Sequence, residues 1–405
     1  MTNIKLLALL GVGLLFTSCD SDDDNGKKDK EVNVPQTYSF ERDGNSTVDF
    51  NGQNTRLKMA KEIVYGAMGD FENITESRLQ AMLNHQEGSA DFEEASLNAS
   101  GKSILSKIAA SKELFSENSV LSSEIKNDFK SWITDFSQNV VPNYEQTASA
   151  GQAGQVVVGE KTRYVNADGL EMNQVIAKSF MGALIADQSL NNYLSPQVLD
   201  AGDNVINNDK DVVKDGKSYT TMEHKWDEAY GYIFGGEVTN EADPYAEGNG
   251  KHNPFLHGYS KSVGKNENFA GIENDIFNAF KKGRAAIVAK NYEVRNEQAK
   301  ILQEKISTVI AVRGIHYLIS GKEKIEAGER TSAFHALSEA YGFVYSLQFT
   351  HNPNTNQPYL SHEEVTNLIN KLEAGNGLWD VTPATLQEIA ETIAAQFTFT
   401  VEQAK

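Results

Sequence analysis

The sequence predicts an all-α fold of internally duplicated helical bundles, with long loops and a short N-terminal hairpin. Three observations carry that expectation. The eight prolines are absent from Gln36 to Val141 and again from Phe255 to Asn352, leaving room for long helices, because proline removes a backbone donor and breaks a helix interior. Within those stretches apolar residues recur at helical spacing, as in Leu302, Ile306 and Val309, in Val365, Leu368, Ile369 and Leu372, and in Leu386, Ile389, Ile393 and Phe397. The third observation is a phrase that occurs twice: His224-Lys-Trp-Asp-Glu228-Ala-Tyr-Gly231 returns as His335-Ala-Leu-Ser-Glu339-Ala-Tyr-Gly342.

At the front, Lys5 precedes the apolar run Leu6 to Phe16, and Phe16-Thr17-Ser18 leads into the only cysteine, Cys19. The run is too short to span a bilayer. It resembles a bacterial lipoprotein signal, which implies that residues 1–18 are a signal peptide and that Cys19 carries lipid. The following Asp20-Ser21-Asp22-Asp23-Asp24 resembles the acidic export tag of surface lipoproteins. Residues 19–35, almost wholly polar and charged, read as a flexible tether, since such a composition buries too little apolar surface to offset the entropy of ordering. The expected address is the cell outer membrane, facing the exterior.

The folded part, 36–405, is expected to comprise two related halves, about 36–235 and 236–405. From Tyr38 to Phe50 the turn-like Asp43-Gly44-Asn45 separates apolar positions, which predicts a hairpin. Helices are expected over about 55–68, 75–86, 97–115, 120–140, 169–192, 219–234, 270–290, 293–319 and 331–350, with two short ones last. Ser361 with Glu364 fits a capping box, and Thr382-Pro383 fits an N-cap followed by proline in the first turn. Ser195 to Lys217 and Gly235 to Asn268 read as long loops. The second offers Asp243, Tyr245, Glu247, His252, His257 and Tyr259 to a ligand, although a solvated loop is the plainer reading.

Apolar residues make up 40% of the chain, which suits a globular protein, and the formal net charge is −19. Such a surface repels polyanions and speaks against nucleic acid as a partner. With Cys19 given to lipid, no thiol remains for a disulfide, a thiolate metal site or a cysteine nucleophile. No nucleophile elbow, phosphate loop, HExxH motif or EF-hand loop occurs.

In the repeated phrase the His and Glu are four residues apart and share one helical face. An upstream echo, Val175-Ile-Ala177 with Leu184-Ile185 against Val309-Ile-Ala311 with Leu318-Ile319, extends the repeat. If the copies pack about a pseudo-twofold axis, His224, Glu228, His335 and Glu339 converge and can hold iron or zinc. The plainer reading is that Ala-Tyr-Gly permits close helix crossing while His and Glu pair locally. His316, in Arg313-Gly-Ile-His316-Tyr, continues the Leu302, Ile306, Val309 stripe, and the spacing carries it toward the core.

Tyr38-Ser-Phe, Gly44-Asn-Ser-Thr-Val48, Thr55-Arg-Leu57, Trp226-Asp-Glu-Ala-Tyr-Gly-Tyr232 and Arg313-Gly-Ile-His316-Tyr together resemble a Bacteroidota lipoprotein family known as domain of unknown function 4856. The resemblance runs from about residue 36 to the C-terminus and implies no activity. More distantly, the chain is similar to imelysin-like proteins, two-bundle helical envelope proteins linked to iron uptake and marked by Gly-x-His-x-x-Glu. Gly314-Ile-His316 matches the first half of that motif and Ile319 stands where it has Glu, so only His316 transfers. The expected function is a surface-anchored binding lipoprotein that takes iron or another nutrient on behalf of an outer-membrane transporter. A scaffold or adhesion component of a surface complex, and a metal-assisted hydrolase, remain as alternatives. The residues that carry the expectation are His224, Glu228, His316, His335 and Glu339.

Overall fold

A computed structural model describes residues 31–236 and 252–405. Cys19, the acidic run and the loop candidates Asp243, Tyr245 and Glu247 lie outside the described residues. Apart from two antiparallel two-stranded ribbons, the regular elements of the described residues are helices, as the sequence predicts. None of the described helices is long and apolar enough to cross a membrane.

The first ribbon pairs Glu41–Arg42 with Asn45–Ser46. Asp43 and Gly44 both take positive φ, 52° and 75°, the mirror-image turn whose twist matches that of paired strands. The second ribbon, Gly154–Val158 with Lys161–Val165, was not anticipated. Its signal is present nonetheless: Val156, Val157 and Val158 form a β-branched run closed by Gly159, which turns the chain at φ 61°.

At the centre runs a helix from 172 to 193, regular over Met172–Phe180 and then wound more loosely through π turns at Met181–Ala186 and Ser189–Tyr193. Every residue from 174 to 195 is buried. A helix that is apolar all round belongs in a core, and the polar members of this one find partners inside it. Asn191, for example, donates to the Phe349 carbonyl and meets His351 Nδ1 at 2.8 Å. Around this axis pack the helices Asn51–Tyr65, Ser119–Asp135, Thr221–Phe234 and Arg330–Ser346. The longest helix, Tyr292–Glu326, lies against both Ile272–Val288 and Arg330–Ser346.

The expected helix over 97–115 is the clearest departure. Only single turns form, at Ala95–Asn98 and Lys112–Phe115, because the central helix captures the backbone between them. The Ala109 N–H donates to the Ala183 carbonyl, and the N–H groups of Ala110 and Ser111 both donate to Asp187 Oδ2 at 2.9 Å. Burial nevertheless pushes the Asp187 carboxyl up to about 6. The expected loop 195–217 contains short helices at Pro196–Leu199 and Asn204–Asp209, and the described end of the second loop carries Leu256–Val263. Both predicted N-caps are present: Ser361 and Glu364 cap each other's backbone reciprocally, and Thr382 accepts from the Thr385 N–H ahead of Pro383.

The Ala-Tyr-Gly phrases mark two helix crossings with different partners. A Cβ on Gly342 would stand 2.5 Å from Lys178 Cβ and 2.7 Å from the Val175 carbonyl oxygen, whereas one on Gly231 would stand 2.4 Å from Phe50 Cβ. The Gly342 crossing is reciprocal, since Gly182 lies equally close to Ser346 and donates its N–H to Ser346 Oγ at 3.0 Å. Gly342→Ala should therefore overpack a helix interface and cost about 1–3 kcal/mol, read as a lowered urea midpoint with an unchanged slope.

Candidate functional site

Four side chains, His224, Glu228, His335 and Glu339, were expected to converge, with His316 as a separate candidate, and the structure divides the four. His316, His335 and Glu339 gather about a buried lysine, Lys178. His224 and Glu228 stand among other neighbours, on the helix Thr221–Phe234. Among the described residues no group of three or more His, Cys, Asp or Glu could hold a metal ion. The separation follows from the crossings: Gly342 sets its helix against 172–193, while Gly231 sets its own against Asn51–Tyr65.

Lys178 interrupts the apolar stretch of the central helix, and its side chain is 2% exposed. It pairs with Glu339 Oε1 at 3.1 Å, donates to Gln174 Oε1 at 2.8 Å and reaches Tyr65 Oη at 3.4 Å. Tyr259 donates to the same Glu339 oxygen at 3.1 Å, and Tyr317 donates in turn to Tyr259 at 3.4 Å. Arg313 lies over the rings of Tyr317 and Tyr259, 4.4 and 5.2 Å from their centroids, a geometry in which the guanidinium meets the electron-rich faces.

These contacts fix the protonation states. Burial alone would push Glu339 up, but Lys178 and then His335 hold it below the usual carboxylate range. Burial alone would push Lys178 down, yet Tyr65 and Glu339 outweigh it and its value lies above that of an ordinary lysine. Burial, followed by Glu339, raises the Tyr259 phenol. The site at neutral pH is an ammonium–carboxylate pair, with the Tyr259 and Tyr317 phenols held protonated.

The two histidines stand at the rim. His335 Nδ1 lies 3.0 Å from Glu171 Oε2 and 3.0 Å from Arg163 Nη1, so it donates to the first or accepts from the second according to tautomer. Its Nε2 faces Glu339 Oε2 at 3.9 Å. His316 is not in the core, as its place on the apolar stripe suggested, but half-buried on the same open helix face as Arg313 and Tyr317. Burial and then Arg313 lower its pKa, which keeps the imidazole neutral.

Arg163 and Glu171 also line a cleft of about 230 Å³, whose other walls include Phe71, Phe136, Tyr164 and Asn173. Phe71 packs on Tyr164 with ring centroids 4.2 Å apart. Two polar atoms of these side chains have no hydrogen-bond partner among the described residues: Glu171 Oε1, an acceptor at the cleft, and Arg313 Nε, a donor over the Tyr259 and Tyr317 rings. Buried polar groups are ordinarily satisfied, so a spare acceptor at the cleft and a spare donor over the tyrosine rings are what a polar ligand would use. The same arrangement is a poor proton-transfer site. Glu339 is committed to Lys178 and too acidic to act as a base near neutrality, and the ammonium occupies the position at which a metal ion would need that carboxylate.

Lys178, Tyr65, Arg163 and Glu171 were not singled out from the sequence. A signal existed for Lys178, a lone charge between Val175-Ile-Ala177 and the apolar Phe180-Met-Gly-Ala-Leu-Ile185. The others join the site only through tertiary packing.

No curated protein and no solved structure matches the chain. A family model matches residues 35–400, nearly all of the described fold and every residue of this site, and the chain belongs to the family described as Domain of unknown function (DUF4856).

Proposed function

We propose that the protein is a binding lipoprotein, held to the outer face of the outer membrane by lipid on Cys19, that presents a small polar organic molecule to an outer-membrane transporter. The observation that carries this reading is the buried Lys178–Glu339 pair, ringed by Tyr65, Tyr259 and Tyr317 under the spare donor of Arg313, and linked through His335 to Glu171, whose spare acceptor lies at a cleft. Ion pairs in a protein interior add little net stability compared with apolar packing. A pair of this kind beside a cleft is better explained as a device for recognition.

The aromatic walls of the cleft offer flat apolar faces and its Arg163 and Glu171 offer both charges, which suits a ligand with polar groups around a compact skeleton, of monosaccharide or amino-acid size. Iron or zinc, the other expected cargo, would have to displace the Lys178 ammonium from Glu339. Saturation-transfer difference NMR on the full chain, with a panel of monosaccharides and amino acids, tests the proposal. At least one compound should give signal with the wild type and lose it in Arg313→Gln. Silence across the panel, or signal indifferent to Arg313→Gln, would defeat it.

A further inference from the structure

The other half of the divided set has an unusual charge balance. On a chain of formal net charge −19, four cationic side chains, Arg56, Lys102, Lys107 and Lys225, surround a single carboxylate, Glu228. Lys225 Nζ pairs with Glu228 Oε2 at 2.6 Å, and Gln53 donates to Glu228 Oε1 at 3.2 Å. Lys225 and Lys107 both stand over the ring of buried Tyr193, with Nζ 5.2 and 5.9 Å from its centroid. Arg56, 7% exposed, donates to the carbonyls of Ser103 and Gly52, at 3.1 and 3.3 Å. Lys102 lies beside it: a Cβ on Gly52 would be 3.3 Å from Lys102 Cε and 3.5 Å from Arg56 Nη1.

Three groups in this cluster have unmet capacity. The Lys107 ammonium makes no hydrogen bond or ion pair among the described residues, standing only over the Tyr193 ring, although the residue is half-buried. The Tyr232 hydroxyl, on a residue with no exposed surface, has only the Arg56 guanidinium beside it and its proton is uncommitted, and His224 Nδ1 has no partner among the described residues. Burial and then Arg56 hold the Lys107 ammonium below its ordinary value, with Glu228 acting against them. An arriving anion would reverse that direction. One carboxylate cannot neutralise four cations, and a positive patch on an acidic surface concentrates anions from solution.

We propose that Arg56, Lys102, Lys107 and Lys225 form a site for a doubly charged tetrahedral oxyanion, a phosphate or sulfate group, separate from the Glu339 cluster. Ammonium groups act there as point charges that follow the oxyanion, while the Arg56 guanidinium supplies directed donors. The Tyr232 hydroxyl is an uncommitted donor at the buried end. Glu228 is the internal counter-charge, holding Lys225 in place while the site is empty and opposing the anion when it arrives.

Calorimetric titration of the full chain at low ionic strength with inorganic phosphate, inorganic sulfate and acetate tests the assignment. Phosphate and sulfate should bind saturably and acetate at least tenfold more weakly. Lys107→Gln should weaken phosphate at least tenfold without moving the thermal midpoint, because its ammonium holds no structural pair. Lys102→Gln, at an exposed position, gives the same test should Lys107→Gln fail to fold. Glu228→Gln should strengthen phosphate binding several-fold, an effect that a purely structural role for Glu228 would not produce. Absence of saturable heat, equal affinity in the lysine variants, or acetate binding as tightly as phosphate would each overturn the proposal. Loss of this site would leave the Glu339 reading untouched, since the two share no residue.

Discussion

Replacing Arg284 with Met is expected to lower the unfolding free energy by about 3–5 kcal/mol, the range seen when one partner is removed from a buried ion pair. Arg284 has no exposed surface and joins three separate elements. Its Nε donates to Asp227 Oδ1 at 3.0 Å, its Nη1 to Glu223 Oε1 at 3.1 Å and its Nη2 to Thr47 Oγ1 at 2.9 Å. Arg42 donates to both oxygens of Glu223, and Tyr38 donates to Asp227 at 2.7 Å. Together Arg284 and Arg42 hold Glu223 down at about 2 against the effect of burial, while burial pushes Asp227 up to about 7 despite Arg284.

Without Arg284, Asp227 keeps only a phenol as partner and the first ribbon loses its anchor at Thr47. Urea unfolding should show the lowered midpoint, and amide exchange should quicken at Thr47, whose N–H donates to the Phe40 carbonyl. Lys282→Met, an exposed neighbour, should change stability by no more than about 0.5 kcal/mol. Equal effects of the two substitutions would remove Arg284 from its role as the clasp of the N-terminal segment.

The second large effect is expected at the candidate site. Lys178→Met leaves Glu339 buried with one phenol and a distant imidazole, and should cost about 3–5 kcal/mol by the same reasoning. The double variant Lys178→Met/Glu339→Leu removes both charges and fills similar space. It should recover most of that loss, because exchanging a buried ion pair for apolar packing is often close to neutral. A double variant no more stable than Lys178→Met would mean that the pair is structural and that nothing about it calls for a ligand.

How far the sequence reaches into this structure depends on the range over which each signal acts. Local chemistry was legible. Ser361, Glu364, Thr382 and Pro383 set helix starts through contacts within four residues, and Asp43-Gly44 sets a turn by its own backbone preference. The long helices followed from periodicity and the spacing of prolines. What failed was local inference about segments governed from a distance. Residues 99–111 have helical composition, yet Ala109, Ala110 and Ser111 give their N–H groups to Ala183 and Asp187, so tertiary partners outbid the helix.

The repeated phrase shows the same limit at the site. It correctly marked two glycine crossings, at Gly231 and Gly342, and brought His335 and Glu339 to attention. It did not reveal that the two copies cross different helices, which is why His224 and Glu228 ended beside Lys225 and Gln53 rather than opposite their counterparts. Nor does any spacing connect Lys178 with Glu339, because the pair is made by the crossing at Gly342 and not by either helix alone.

The reading of the Lys178–Glu339 cluster as a ligand site is most directly tested on one sample of the Lys178→Met/Glu339→Leu variant, with thermal unfolding and saturation-transfer NMR recorded together. The expected result is a cooperatively folded protein that no longer gives signal with the compound bound by the wild type. Undiminished signal from that folded variant would contradict the account.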